Sequence, residues 1–503
     1  MALSTWLLLL VAHPLEFRTL LQYRIYHDQK RDITAPREHA TSGWDRASMR
    51  RCWEFLDMTS RSFSTVIKEL EGDLARVICL FYLVLRGLDT IEDDMTLPLA
   101  IKLPLLRDFH VHTVTPGWAF TGSGPNERDA QLLVEYAVVV DELLRLPPAY
   151  RDAILTIAAK MGAGMADFVA RAATLPPSAP EEKIAAGGID TIADYDLYCH
   201  YVAGLVGEGL SLIFAASGKE RPELAAERAL SNSMGLLLQK TNITRDVRED
   251  DGGYAAAVSL FLLFHPSSAA AAYSAAYASP VPGTPNPRWV QSAMVLDALR
   301  HAPDALDYLR LLRNQSVFNF CAIPATMAIA TLELCFGNER MMRGNVKIRK
   351  AVAAELIMRS TNPREVGLIF REYARRIHAR AVPADPSYVR ISVACGKIEQ
   401  WCEHYYPSFV LVSAGSTASP TQSIDPADAR GRTFLLSEKR DQALSQKLRI
   451  EALRAGGAVG AVGQRHKAQE MQVGELALYV GGALLLVAAV CAGVVWLIMQ
   501  MAD

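Results

Sequence analysis

The sequence predicts an all-α protein, and three observations carry that prediction. From about Asp45 to Tyr405 apolar residues recur at helical spacing, while strand alternation and Asn-Gly hairpin signals are largely missing. Half of the 503 residues are hydrophobic and 21% are charged, a globular composition with enough apolar material for a sizeable core. The formal net charge of −2 gives no overall case for nucleic acid or an anionic surface as partner.

Taken in order, the chain opens with Leu7, Leu8, Leu9, Leu10 and Val11, an apolar run without a basic flank and too short to span a bilayer. His13 and Pro14, followed by Glu16 to Arg24, read as the start of an amphipathic helix. A cleaved signal is the alternative. Helical periodicity then marks residues 62–70, 132–146, 150–165, 224–239 and 316–336. Breaks fall at Pro116-Gly117, Pro147-Pro148 and Pro176-Pro177. Residues 252–290 form an Ala-, Ser-, Tyr- and Pro-rich insert, read as a low-complexity loop outside the helical core.

Beyond Pro407 the composition shifts. Residues 411–475 are polar, charged and Gly-containing, the make-up of a flexible linker. Residues 476–499 are apolar throughout and without charge. As a helix they reach roughly 36 Å at about 1.5 Å per residue, enough for a hydrocarbon core of about 30 Å. The run reads as a C-terminal transmembrane anchor, and Arg465, His466 and Lys467 before it favour a domain left in the cytosol. Three regions are therefore expected: a helical domain over 1–410, a linker over 411–475 and an anchor over 476–499. The eight cysteines are scattered with no C-x-x-C, which suits a reducing compartment and argues against zinc.

Two acidic motifs carry the chemistry. Asp89, Glu92 and Asp93 close the apolar run that begins at Val77, and Asp246, Glu249 and Asp250 repeat the same D-x-x-E-D spacing. Residues i, i+3 and i+4 share a helix face, so each triplet stacks like charges that repel unless something positive sits on them. One acidic face is ordinarily a solvated surface; two copies, each behind an apolar helix and beside an arginine (Arg86, Arg245), suggest two helices facing across a central cavity. All-oxygen sets suit hard cations, and Mg2+ takes one or two carboxylates together with waters and phosphate oxygens. The inferred chemistry is Mg2+-assisted departure of diphosphate from a long hydrocarbon, leaving an allylic carbocation. Calcium ranks low, because the glycine and loop spacing of an EF-hand are missing.

The residues around these motifs resemble the squalene synthase family of the isoprenoid synthase fold. The matching stretches are 60–63, 82–95, 198–207, 239–250, 313–324 and 346–350. The resemblance implies one helical domain around a central cavity. It implies an enzyme that condenses two farnesyl diphosphates to presqualene diphosphate and reduces this with NADPH to squalene. Asp89, Glu92 and Asp93 would hold Mg2+ for one diphosphate, and Asp246, Glu249 and Asp250 would serve the other. Tyr198 would be the acid/base residue, with Phe63, Phe318 and Phe320 offering π-faces to the cation path; ordinary core packing competes for those three. Arg61, Arg86, Arg245, Lys347 and Arg349 would face NADPH and phosphate. The resemblance further implies a monomeric catalytic domain on the endoplasmic reticulum membrane, facing the cytosol.

One departure stands out. After the second acidic motif the family carries an Arg and then Phe-Trp-Pro, where this chain has Gly252, Gly253, Tyr254 and the insert. The insert is either a divergent loop or translated intron. Two other readings compete: a phytoene- or dehydrosqualene-type synthase without NADPH, and an inactive membrane-anchored helical scaffold.

Overall fold

The computed structural model describes residues 9–26, 31–60, 63–175, 189, 191–246, 287–342, 344 and 346–407, with 439 and 446 as isolated positions. The chain divides into two units, Met1–Pro420 and Thr421–Asp503, and the architecture below is that of the first. The boundaries expected at 410 and 475 and the anchor over 476–499 lie outside the described residues. Most of the insert does too.

Helices make up the described fold, and no strand occurs among the described residues. They are α1 (Pro14–Tyr26), α2 (Ala47–Ser60), α3 (Phe63–Lys68), α4 (Leu74–Asp93), α5 (Leu99–His112), α6 (Ala130–Val134), α7 (Ala137–Leu144), α8 (Pro148–Ala173), α9 (Ile192–Cys199) and α10 (Leu205–Ala216). After these come α11 (Arg228–Arg245), α12 (Pro287–Leu299), α13 (Ala302–Leu311), α14 (Gln315–Cys335), α15 (Lys350–Arg359), α16 (Pro363–Arg380) and α17 (Tyr388–Tyr405). Single-turn helices and 3-10 turns link some of them. The all-α expectation holds.

Two helices organise the packing. α4 is flanked by α2, α5, α7 and α8, and α11 by α10, α12, α13 and α14. Both also touch α10. α4 is apolar on nearly every side, from Leu74 through Val77, Phe81 and Leu85 to Ile91, and is buried accordingly. A helix of that kind belongs in the middle of a core. Each fully buried Leu, Val, Ile or Phe contributes about 1.5–3 kcal/mol relative to exposure, so a long central helix of this type anchors the domain.

Local chemistry sets the ends. Thr191 and Asp194 form a capping box that starts α9, and Arg171 of α8 grips Asp194 at 2.7 Å. Asn314 and Asn362 accept backbone N–H groups at the starts of α14 and α16. α4 stops because Asp94 turns extended, its carboxylate accepting from the N–H groups of Thr96 (2.9 Å) and Gly124 (2.7 Å).

Several sequence expectations shift. Residues 132–146 form two helices, α6 and α7, because Tyr136 is pulled into a cage of Phe109 and Trp118 while Glu135 is forked by Arg51. Tertiary contacts override local period there. Residues 150–165 belong to a longer helix, α8. Residues 287–290, assigned to the insert, instead begin α12, with Pro287 at its first turn and Val290 buried. α1 is helical as expected, yet none of its residues is buried, so the predicted split into an apolar inner and a polar outer face is wrong.

Three stretches are long and apolar enough to cross a membrane by length and composition: Pro148–Ala173, Ile192–Ala216 and Gln315–Cys335. In the fold each packs against neighbouring helices. The described cysteines are all buried free thiols.

The α10–α11 crossing depends on glycine. A Cβ at Gly207 would sit 2.3 Å from the Ser231 carbonyl oxygen, and one at Gly235 2.4 Å from that of Ala203. Because backbone cannot swing aside as a side chain can, Gly235→Ala forces α11 away from the turn at residues 200–204 that leads into α10. The expected cost is about 1–3 kcal/mol, read as a thermal midpoint several degrees lower. An unchanged midpoint would show that the crossing is looser than described.

Candidate active site

The last turn of α4 carries the first acidic motif. Arg86, one turn earlier, reaches Tyr82 Oη at 3.0 Å, Asp89 at 3.9 Å and Asp129 at 3.8 Å. Burial works against its charge, but Asp89, Tyr82 and Asp129 together hold its pKa above the ordinary arginine value. The buried Lys102 of α5 donates to the Glu92 carbonyl at 2.8 Å, a cation at a helix C-terminus. Burial lowers the Lys102 pKa, against the pull of Asp94 and Glu92.

The carboxylates themselves are under-compensated. Burial lifts Asp89 to about 7, with Asp93 and Asp129 adding to the rise and Arg86 opposing it. Burial lifts Glu92 to about 8, reinforced by Asp89 and Asp93 and opposed by Lys102. The Asp89 side chain is still 34% exposed and Asp93 faces solvent, so the cluster is a rim and not a sealed core. Clustered oxygen ligands that resist ionisation are what a hard cation relieves.

Tyr198 stands over this rim. The field of Glu92 is the first cause that raises its phenol well above 10, followed by burial, Asp93 and Asp89. Its ring packs edge-on against Phe168 of α8, 5.5 Å between centroids. The hydroxyl therefore keeps its proton at neutral pH, next to carboxylates. Directly after α9 the chain makes a π-helical turn, His200–Gly204, before α10. Such turns are rare and recur at functional sites. His200 Nδ1 pairs with Asn232 Oδ1 at 2.7 Å, tying the turn to α11.

The second motif is placed differently from its twin. α11 ends at Arg245, and Asp246, its C-cap, is the one residue of the motif among the described residues. Arg245 forks Asp246 with two bonds of 2.6 Å. Both residues act electrostatically on buried Cys335, so they sit near the C-terminal end of α14. Glu249 and Asp250 lie outside the described residues, as does Arg61.

The remaining expected residues divide. Phe318 and Phe320 of α14 are buried, Phe320 edge-on to Phe214 of α10 at 6.1 Å. Phe63 opens α3 and is 41% exposed. Lys347 and Arg349 are exposed just ahead of α15, and Arg349 is ion-paired with Glu16 of α1. Among the described residues no three His, Cys, Asp or Glu side chains converge as a ready-made metal cage. Mg2+ does not require one, since it keeps several waters and takes substrate oxygens.

Sequence reasoning missed one buried network. Lys240 of α11 is almost inaccessible and bridges Asp196 of α9 (2.5 Å) and Asp297 of α12, while Arg300 holds the same two carboxylates at 2.5 and 2.8 Å. The Tyr195 ring covers the Lys240 ammonium at 4.9 Å. It clamps α9, two residues before Tyr198, onto α11, the helix that ends at Arg245. A lysine inside an apolar helical face was its signal. Asp129 and Lys102 were missed as well, because only the tertiary fold brings them to the rim.

A family model described as squalene/phytoene synthase matches residues 56–351. The squalene synthase of Ganoderma lucidum is 55% identical over 470 residues, covering 90% of this chain and 96% of the relative. That of Schizosaccharomyces pombe is 45% identical over 399 residues, covering 78% and 81%. A solved structure of TcSQS in complex with the ligand E5700 superposes with a TM-score of 0.62 at 37% identity, covering 71% of this chain and 98% of that one.

The raised carboxylates give a pH signature. Glu92 ionises near 4.5 in the unfolded chain and near 8 in the fold, so folding without a cation is increasingly opposed as pH rises between those values. In thermal melts without divalent metal, the parent should lose stability relative to Glu92→Gln from pH 5 to pH 8. A difference that stays flat over that range would remove the charge-repulsion account of the rim.

Proposed function

The chain belongs to the squalene/phytoene synthase family, and from that premise we propose how its residues perform squalene synthesis. Two farnesyl diphosphates are joined head to head to presqualene diphosphate, which is then rearranged and reduced to squalene. The observation that carries the reading is the pairing of an electrostatically strained carboxylate rim with Tyr198, both on helices packed into one apolar core.

Asp89, Glu92 and Asp93 would hold Mg2+ at one diphosphate, and Asp246, with Glu249 and Asp250, at the other. Bound there, Mg2+ neutralises the departing diphosphate and makes it a better leaving group. The donor set fits: oxygen ligands at a partly open rim, too negative to ionise fully alone. Tyr198, protonated and facing the rim, is positioned to give its proton toward the departing group and take one back. Its ring and those of Phe318 and Phe320 offer π-faces to a carbocation. Phe63, at the more open edge, would do so nearer solvent. The apolar helices keep water, the competing nucleophile, away from the cation.

NADPH would supply hydride for the second half-reaction. Lys347 and Arg349, exposed and basic, fit its phosphates, with Arg61 and Arg245 as further cationic partners. Arg349 would then exchange Glu16 for phosphate. Arg86, already engaged with Asp89, Asp129 and Tyr82, would serve the rim more than the cofactor. The membrane anchor over 476–499 and an endoplasmic reticulum location with the domain in the cytosol complete the reading.

Incubating the chain with farnesyl diphosphate and Mg2+, with and without NADPH, and identifying the products by mass spectrometry tests it. Squalene should form only with NADPH, and Asp89→Asn and Asp246→Asn should each nearly abolish turnover. A C30 product indifferent to NADPH would favour the phytoene-type reading instead. A variant with parental rate at limiting Mg2+ would remove that residue from the metal site.

A further inference from the structure

The catalytic reading depends on where Tyr198 points, and the π turn that follows it bears on that direction. Tyr195, Cys199, Gly204 and Glu208 form a buried stripe with steps of four, five and four residues. An α-helix keeps one face inward with steps of three and four, so the step of five needs a wider turn. The π turn supplies it: the Leu205 N–H donates to the His200 carbonyl, five residues back. Such turns are rare, so neighbours must hold this one in place.

One side-chain bond does so from α11. His200 Nδ1–H donates to Asn232 Oδ1 at 2.7 Å, and the chain is bare at Gly204, where a Cβ would fall on that same amide oxygen. The His200 ring leans on Tyr201 at 5.6 Å, Tyr201 on Phe168 at 6.3 Å, and Phe168 on Tyr198 at 5.5 Å, centroid to centroid. Asn232 is thus joined to the Tyr198 ring through a continuous series of contacts. His200 and Asn232 are themselves only half-buried and border a cavity of about 360 Å³. Cutting their bond therefore removes little packed apolar surface.

We infer that His200 and Asn232 are positioning residues, whose hydrogen bond holds the π turn in the register that points the Tyr198 phenol at the carboxylate rim. Both act through Tyr198. The inference rests on the role proposed for that residue, since a proton donor must lie within hydrogen-bond reach of the departing group. A displacement of about 1 Å at its oxygen costs up to about a hundred-fold in rate while the diphosphates still bind.

The test measures presqualene diphosphate formation by the full chain with Mg2+ and without NADPH. Rates are taken per active site, counted by binding of an unreactive farnesyl diphosphate analogue. Asn232→Ala should lower kcat roughly ten- to a hundred-fold, with KM within about two-fold of the parent. Asn232→Asp, which keeps the accepting oxygen, should recover most of that loss. In a Tyr198→Phe background, where the phenol is gone, Asn232→Ala should change the residual rate less than about two-fold. Should Asn232→Ala not fold, His200→Phe keeps a ring against Tyr201, removes the N–H, and should show the same loss. Parental kcat in Asn232→Ala beside a slow Tyr198→Phe would overturn the inference and leave the role of Tyr198 standing. An equal loss with and without the phenol would overturn it too, as a general disturbance of the site. Parental kcat in Tyr198→Phe would remove the role of Tyr198 and this inference with it.

Discussion

The structure depends on one electrostatic constraint: three carboxylates at the end of a helix buried along most of its length. α4 cannot be moved outward without exposing Val77 to Leu88, and its last turn cannot shed Asp89 and Glu92 from the rim. The fold meets part of the charge with Arg86 and with Lys102 at the helix terminus, and leaves the rest, so that both acids resist ionisation. That remainder is what the proposed divalent cation and its diphosphate would complete. On that proposal, stability of the rim would be given up for affinity toward the cation.

The two halves of the site meet this constraint in different ways. On the α4 side the acids lie in regular helix and crowd one another. On the α11 side the helix stops at Arg245, which holds Asp246 in a bidentate grip. A diphosphate arriving there would meet an arginine already in place. Lys240 and its two aspartates keep that side in register with the Tyr198 helix, and the π turn at His200 sets the direction in which the chain leaves it. Removing Lys240 would leave the buried Asp297 and the partly exposed Asp196 with only Arg300 between them, an arrangement that buried ion networks tolerate poorly.

Much of this was legible in the sequence, for identifiable reasons. The α4 run and both D-x-x-E-D motifs are local patterns, and helical period reports local patterns faithfully. The break at Tyr136 and the start of α12 at Pro287 were not legible, because each is decided by a partner distant in sequence or by a single side-chain bond. Lys102, Asp129 and the Lys240 network belong to the same class. α1 shows the reverse case: its helical character was plain, but which face would be covered was not, since apolar residues occur on both.

The central claim is that the two acidic clusters each hold one diphosphate through a divalent cation. Calorimetric titration of an unreactive farnesyl diphosphate analogue reads this directly. With Mg2+ present, the parent should bind two molecules per chain, and Asp89→Asn and Asp246→Asn should each bind one. Two molecules bound without Mg2+, or both variants keeping two, would contradict the account.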